Sequence, residues 1–115
     1  MMFSRFFAKA DPNAPPREIG HDELLAAMRD ESVVVVDVRE PHEFAGGCIP
    51  GAINLPMSRF APERLPAGKP VVLICLSGGR SGSALRQAHG AGATEVRHYP
   101  KGMSGWRARG GPVVR

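Results

Sequence analysis

Only two of the 115 residues are cysteine, one is tryptophan and one is tyrosine. Cys48 and Cys75 are too few for a disulfide framework, and neither stands in a CxxC or CxxH pair of the kind that nucleates a zinc site. The four histidines, His21, His42, His89 and His98, lack ligand spacing, so they read as surface or capping groups and no metal is expected. No hydrophobic run approaches the roughly 18 residues of a membrane span. The apolar, twice-positive opening, residues 1–9, has neither the uninterrupted core nor the small-residue cleavage site of a secretory signal. A reducing cytoplasm, with no membrane partner, is therefore the expected setting. Acidic residues are scarce in one region: residues 1–70 hold eight basic and ten acidic side chains, whereas 71–115 hold seven basic ones and only Glu95. The overall +4 thus conceals an excess of positive charge in the last third. That segment lacks the interleaved aromatics and motifs of nucleic-acid readers. No nucleic acid is expected, and the field points to a small anion.

What is present suffices for one self-sufficient domain, since 43% of the residues are hydrophobic and 23% charged. Asp11-Pro12-Asn13-Ala14-Pro15-Pro16 cannot continue a helix. Residues 1–16 accordingly read as a flexible, proline-containing leader, 17–109 as the domain and 110–115 as a C-terminal tail. Asp22 and Glu23 after Gly20 mark a helix start, predicting a helix over 22–29 with Leu24, Leu25 and Met28 on one face. Val33-Val34-Val35-Val36-Asp37-Val38 is continuous and β-branched, which suits a strand buried on both faces of a parallel sheet. Pro41 to Phe44 predicts one helical turn, 53–55 a short strand and 59–65 a weak helix interrupted by Pro62. Val71-Val72-Leu73-Ile74-Cys75 repeats the buried-strand pattern. It leads through Leu76-Ser77-Gly78-Gly79 into a helix over 80–88, a last strand over 95–99 and a Gly-rich turn with a helix over 101–107. The alternation implies an α/β domain: a central, mainly parallel, five-stranded sheet with helices on both faces.

In such sheets ligands bind beyond the carboxyl ends of the strands, where the next helix presents unpaired amides and its positive pole. Cys75 stands at that place. Ser77, Gly78 and Gly79 are small enough for successive amides to curl into an anion-binding nest. A thiol there is expected to be acidified, from about 8.5 into the roughly 3.5–7.5 range of nucleophilic cysteines. Arg80 opens the helix, an unfavourable place for a cation unless it supports an anion or the loop.

Four segments in order, Asp37 to Phe44, Gly47 to Pro56, Cys75 to Ser81 and Lys101 to Trp106, resemble the successive signatures of the rhodanese homology domain. They cover roughly residues 17–107. The resemblance implies sulfur transfer without a cofactor. Cys75 matches the cysteine that takes a sulfane sulfur from a small anionic donor such as thiosulfate, becomes a persulfide and hands the sulfur to cyanide, a thiol or a sulfur-accepting protein. Leu76, Ser77, Gly78, Gly79 and Arg80 match the active-site loop, whose amides bind the thiolate, the persulfide and the leaving group. Asp37 and Arg39 would organise neighbouring loops, and Trp106 would pack the last turn near the active loop.

Two competing readings follow from the same residues. One is a sulfur-carrier or regulatory binding module that holds a persulfide but turns over poorly. The other is a Cys-dependent phosphatase or arsenate reductase, which resemble rhodaneses but place Arg six positions after Cys; here the offset is five, a tighter ring that favours sulfur. Cys48 stands where the family often has His, and Leu76 and Ser77 where thiosulfate-specific members carry basic residues. For Asp37, Arg39 and Glu43 a structural role is the simpler reading, because charged groups at strand ends usually satisfy local backbone or each other. For Cys48 the simpler reading is a buried thiol rather than a partner that resolves Cys75.

Overall fold

The two continuous apolar runs form the interior strands of the sheet. In the computed structural model, which describes residues 17–115, they are β1, Val34–Asp37, and β3, Val71–Ile74. They pair in parallel from Val34–Val71 to Asp37–Ile74. β2, Ile53–Asn54, adds outside β1, and β4, Val96–His98, adds outside β3. The order is β2-β1-β3-β4, with every pairing parallel.

Alternate side chains along these strands supply two cores. Val35, Val72 and Ile74 face one side with Leu24 of α1, His21–Arg29, and with Met103 and Trp106 of α4, Gly102–Ala108. Val36, Leu73 and Cys75 face the other, against Ala84, Leu85 and Ala88 of α3, Gly79–Gly90. Each valine or leucine sealed in this way contributes about 1.5–3 kcal/mol. Helices therefore cover both faces, as the burial of β1 and β3 requires.

The sheet has four strands among the described residues, not five. Where a fifth would lie beside β4, the chain makes a single parallel bridge between Glu18 and His98, through Ile19 N–H to His98 O at 3.1 Å and His98 N–H to Arg17 O at 2.9 Å. α1 begins at His21, so the chain turns into the helix directly after the bridge and the pairing does not lengthen in that direction. The expected helix over 59–65 is two separate 3₁₀ turns, Met57–Arg59 and Pro62–Arg64. Ala61 before Pro62 is extended, with φ −150° and ψ 140°, as the proline ring demands of its predecessor. A short helix α2, Pro41–Ala45, opens with a capping box between Glu40 and Glu43.

The expected leader, 1–16, lies outside the described residues. Residues 110–115 fold back: the Trp106 indole N–H donates to Pro112 O at 2.8 Å, and Cys48 and Val114 exchange backbone bonds of 2.8 and 2.9 Å. No helix among the described residues is long and apolar enough to cross a membrane.

Candidate active site

β3 ends at Ile74 and delivers Cys75 to the mouth of the sheet, where only 1% of the residue is exposed. The chain must then reverse within three residues to enter α3. Gly78 makes that possible with φ +104°, and a Cβ there would collide with the Pro100 carbonyl. The first turn of α4 shapes the loop from outside. Met103 N–H donates to Cys75 O at 2.8 Å and Ser104 N–H to Leu76 O at 3.0 Å, so both carbonyls point away and the loop amides turn inward. Gly102, at φ +64°, lets the two backbones approach; a Cβ would strike the Leu76 carbonyl.

The thiol sits in the resulting nest. Gly78 N–H donates to Cys75 Sγ at 3.1 Å, and Ser81 Oγ lies 3.5 Å from it. Burial alone would raise the thiol's pKa. The Ser81 hydroxyl and the amides of Ser81, Gly78 and Ser77 outweigh that and bring it below its ordinary value. Leu76 and Ser77 line the rim, with Leu76 42% exposed, and Gly79 begins the helix.

Arg80 does not reach into the nest as a free cation. Its guanidinium donates to both oxygens of Glu43, at 2.7 and 3.0 Å, which ties the start of α3 to α2. The Arg80 bond holds Glu43 down to about 2 despite partial burial, and Glu43 holds Arg80 above its usual value. Asp37 and Arg39 form a separate buried pair. Arg39 Nε lies 3.0 and 3.1 Å from the two carboxylate oxygens, its NH2 group lies 2.8 Å from one of them, and the same group donates to Gly47 O at 2.7 Å. Trp106 is sealed, 4.9 Å from the His21 ring and edge-on to Tyr99 at 5.8 Å. A cavity of about 640 Å³ opens beside this aromatic group, lined by Ile19, His21, Tyr99, Lys101 and Arg109 and by no residue of the 75–81 loop. Cys48 is buried among different neighbours. Burial and the Asp37 carboxylate push its thiol up, and both cysteines are free.

Two histidines depart from the surface reading. His21 is buried, with Nδ1 2.9 Å from Tyr99 OH, because the helix starts one residue earlier than its acidic signal. His98 is buried too and bonds Ser81. The sequence carried the signal for it, since His98 alternates with Val96 on a strand whose inner face is covered. Ser81 was likewise absent from the expected site, although it lies one turn beyond Cys75 on the helix the loop feeds. Among the described residues no cluster of His, Cys, Asp or Glu could hold a metal ion.

Residues 20–109 match the Rhodanese-like domain family. The chain belongs to that family. A sulfurtransferase of Allochromatium vinosum is 37% identical over 101 residues, covering 84% of this chain and 94% of its own. The human single-domain sulfurtransferase TSTD1 superposes with a TM-score of 0.70 at 26% identity, covering 84% of this chain and 98% of its own. An uncharacterised protein of Synechocystis is 44% identical over 94 residues, which are 80% of this chain and about half, 52%, of that protein. The rhodanese-like domain is thus an α/β fold shared with sulfurtransferases of similar length.

Proposed function

We propose that this rhodanese-like domain is a sulfurtransferase whose Cys75 carries the sulfur as a persulfide. The observation that carries the reading is the nest itself: a buried sulfur that receives the Gly78 amide at 3.1 Å and lies 3.5 Å from the Ser81 hydroxyl oxygen. Preorganised donors of this kind favour the thiolate, then the persulfide, at no reorganisation cost.

In the first half-reaction the Cys75 thiolate attacks the sulfane sulfur of a donor such as thiosulfate. A new S–S bond forms, the donor's S–S bond breaks, and sulfite leaves with the electron pair. In the second, cyanide, a thiolate or a sulfur-accepting protein attacks the outer sulfur, and Cys75 leaves as thiolate. Two steps through a covalent intermediate give ping-pong kinetics. The amides of Leu76, Ser77, Gly78, Gly79 and Arg80 form the cradle. Arg80, held by Glu43, supports it electrostatically from the side, while Asp37, Arg39 and Trp106 hold the surrounding loops. The chemistry needs no cofactor, and a reducing, cytoplasmic setting keeps the thiol available.

The near-complete burial of Cys75 favours a second reading, a carrier that takes sulfur but releases it slowly. One experiment separates the two: thiocyanate formation from thiosulfate and cyanide by the wild type and C75S, with intact mass after thiosulfate alone. Turnover lost in C75S supports the enzyme, and a one-sulfur adduct without turnover supports the carrier. Absence of both, with aryl-phosphate hydrolysis instead, would sink both sulfur readings.

A further inference from the structure

Three buried side chains from three elements meet behind the sulfur. Ser81, in the first turn of α3 and fully buried, places Oγ 3.5 Å from Cys75 Sγ, 2.9 Å from His98 Nδ1 and 3.3 Å from Gly78 O. His98 comes from β4 and is 9% exposed. The charged groups facing its ring are Glu18, from the segment bridged to β4, and Arg86 of α3. A hydroxyl has one proton to give. If Nδ1 is bare, it competes with the sulfur for that proton. If Nδ1 carries a hydrogen, it donates to Oγ and leaves the hydroxyl proton to be shared between the Gly78 carbonyl and the sulfur, of which an ionised sulfur, as a charged acceptor, is the stronger.

We propose that His98 is a positioning residue for Cys75: with its hydrogen on Nδ1 it turns the Ser81 hydroxyl onto the thiolate. The proposal rests on Cys75 being the reacting thiol. Both ionisation states use the same three groups. With the thiol neutral, S–H donates to Oγ, O–H donates to Nδ1, and the ring keeps its hydrogen on Nε2. On ionisation the thiol proton passes to Oγ, the hydroxyl proton to Nδ1, and the Nε2 proton to solvent. The array loses one proton in all and ends as Nδ1–H, O–H and S⁻. The ring is neutral at both ends of this exchange, and burial, by holding His98 below its ordinary pKa, keeps it so.

The test is the pH midpoint of iodoacetamide alkylation of Cys75, read by intact mass. H98L and S81A should each raise the midpoint by about one unit, a roughly tenfold loss of thiolate at any pH well below the wild-type midpoint. The double variant should go no further than S81A. H98N sets an amide where Nδ1 stood and should restore the wild-type midpoint. A wild-type midpoint in folded H98L, or H98N displaced as far as H98L, overturns the proposal. Near-UV circular dichroism of Trp106 reports folding. If H98L does not fold, ¹⁵N shifts of His98 in the unaltered protein decide. The hydrogen must move from Nε2 to Nδ1 across the Cys75 midpoint, and shifts that stay flat refute the proposal. Thiocyanate formation by the wild type tests the sulfur-transfer reading separately.

Discussion

Arg80 and Glu43, 37 residues apart in the chain, meet in a two-point pair at 2.7 and 3.0 Å. The contact places a cation at the first turn of α3, where the helix dipole opposes it, and supplies the carboxylate that offsets the conflict. It also fixes α2 beside the loop that holds the thiol.

The pair makes acid stability depend on Glu43. Its folded pKa, about 2, lies below the ordinary 4.5, so its contribution is present in full above about pH 4.5 and is lost as the pH falls toward 2. The pair is partly exposed, which limits its worth to about 1 kcal/mol. Urea unfolding of wild type and E43Q at neutral and acid pH should show a gap that closes on acidification. A gap independent of pH would contradict the assignment.

The Asp37–Arg39 pair should behave differently, because both side chains are nearly sealed, 0% and 4% exposed. R39M leaves a buried carboxylate uncompensated and should cost about 3–5 kcal/mol in urea unfolding. The double variant D37L/R39M should recover much of that loss. Equal losses in the single and double variants would show that the pair's charges are not what matters there.

Gly78 and Gly79 are neighbours with opposite expectations. G78A forces a side chain into positive φ and against Pro100, so it should lose at least about 2 kcal/mol and slow Cys75 alkylation. G79A meets open space at a helical position and should be neutral or gain up to about 1 kcal/mol. Thermal melts of the two variants check the contrast.

The two thiols should separate by reactivity. Donors around Cys75 lower its pKa while burial raises that of Cys48. With limiting iodoacetamide near neutral pH, the first adduct should map to Cys75, its rate persisting into mildly acid solution. First labelling at Cys48 would argue against the nest.

Much of this arrangement was legible in the chain. β1 and β3 announce themselves as unbroken β-branched runs, and the small residues after Cys75 mark the nest, because both depend on local composition. The expected use of the basic last third was not. Arg80, Arg97 and Arg109 pair with Glu43, Glu23 and Asp22, all from the first half, so the charge that looked like a field for an anion is spent partly on joining the chain's two halves. The burial of His98 follows from its alternation with Val96, but its meeting with Ser81 does not, because that depends on how β4 registers beside β3 and against α3, which no local window contains.

The bonds from Met103 and Ser104 to the carbonyls of Cys75 and Leu76 have a consequence for how the protein comes into being. A growing chain that has passed Ser81 already contains the cysteine, its glycines and its helix. It lacks the donors that turn those carbonyls outward until residue 104 has been added. The nest around the sulfur is therefore completed only once the first turn of α4 has been made, well after the segment that encodes the cysteine.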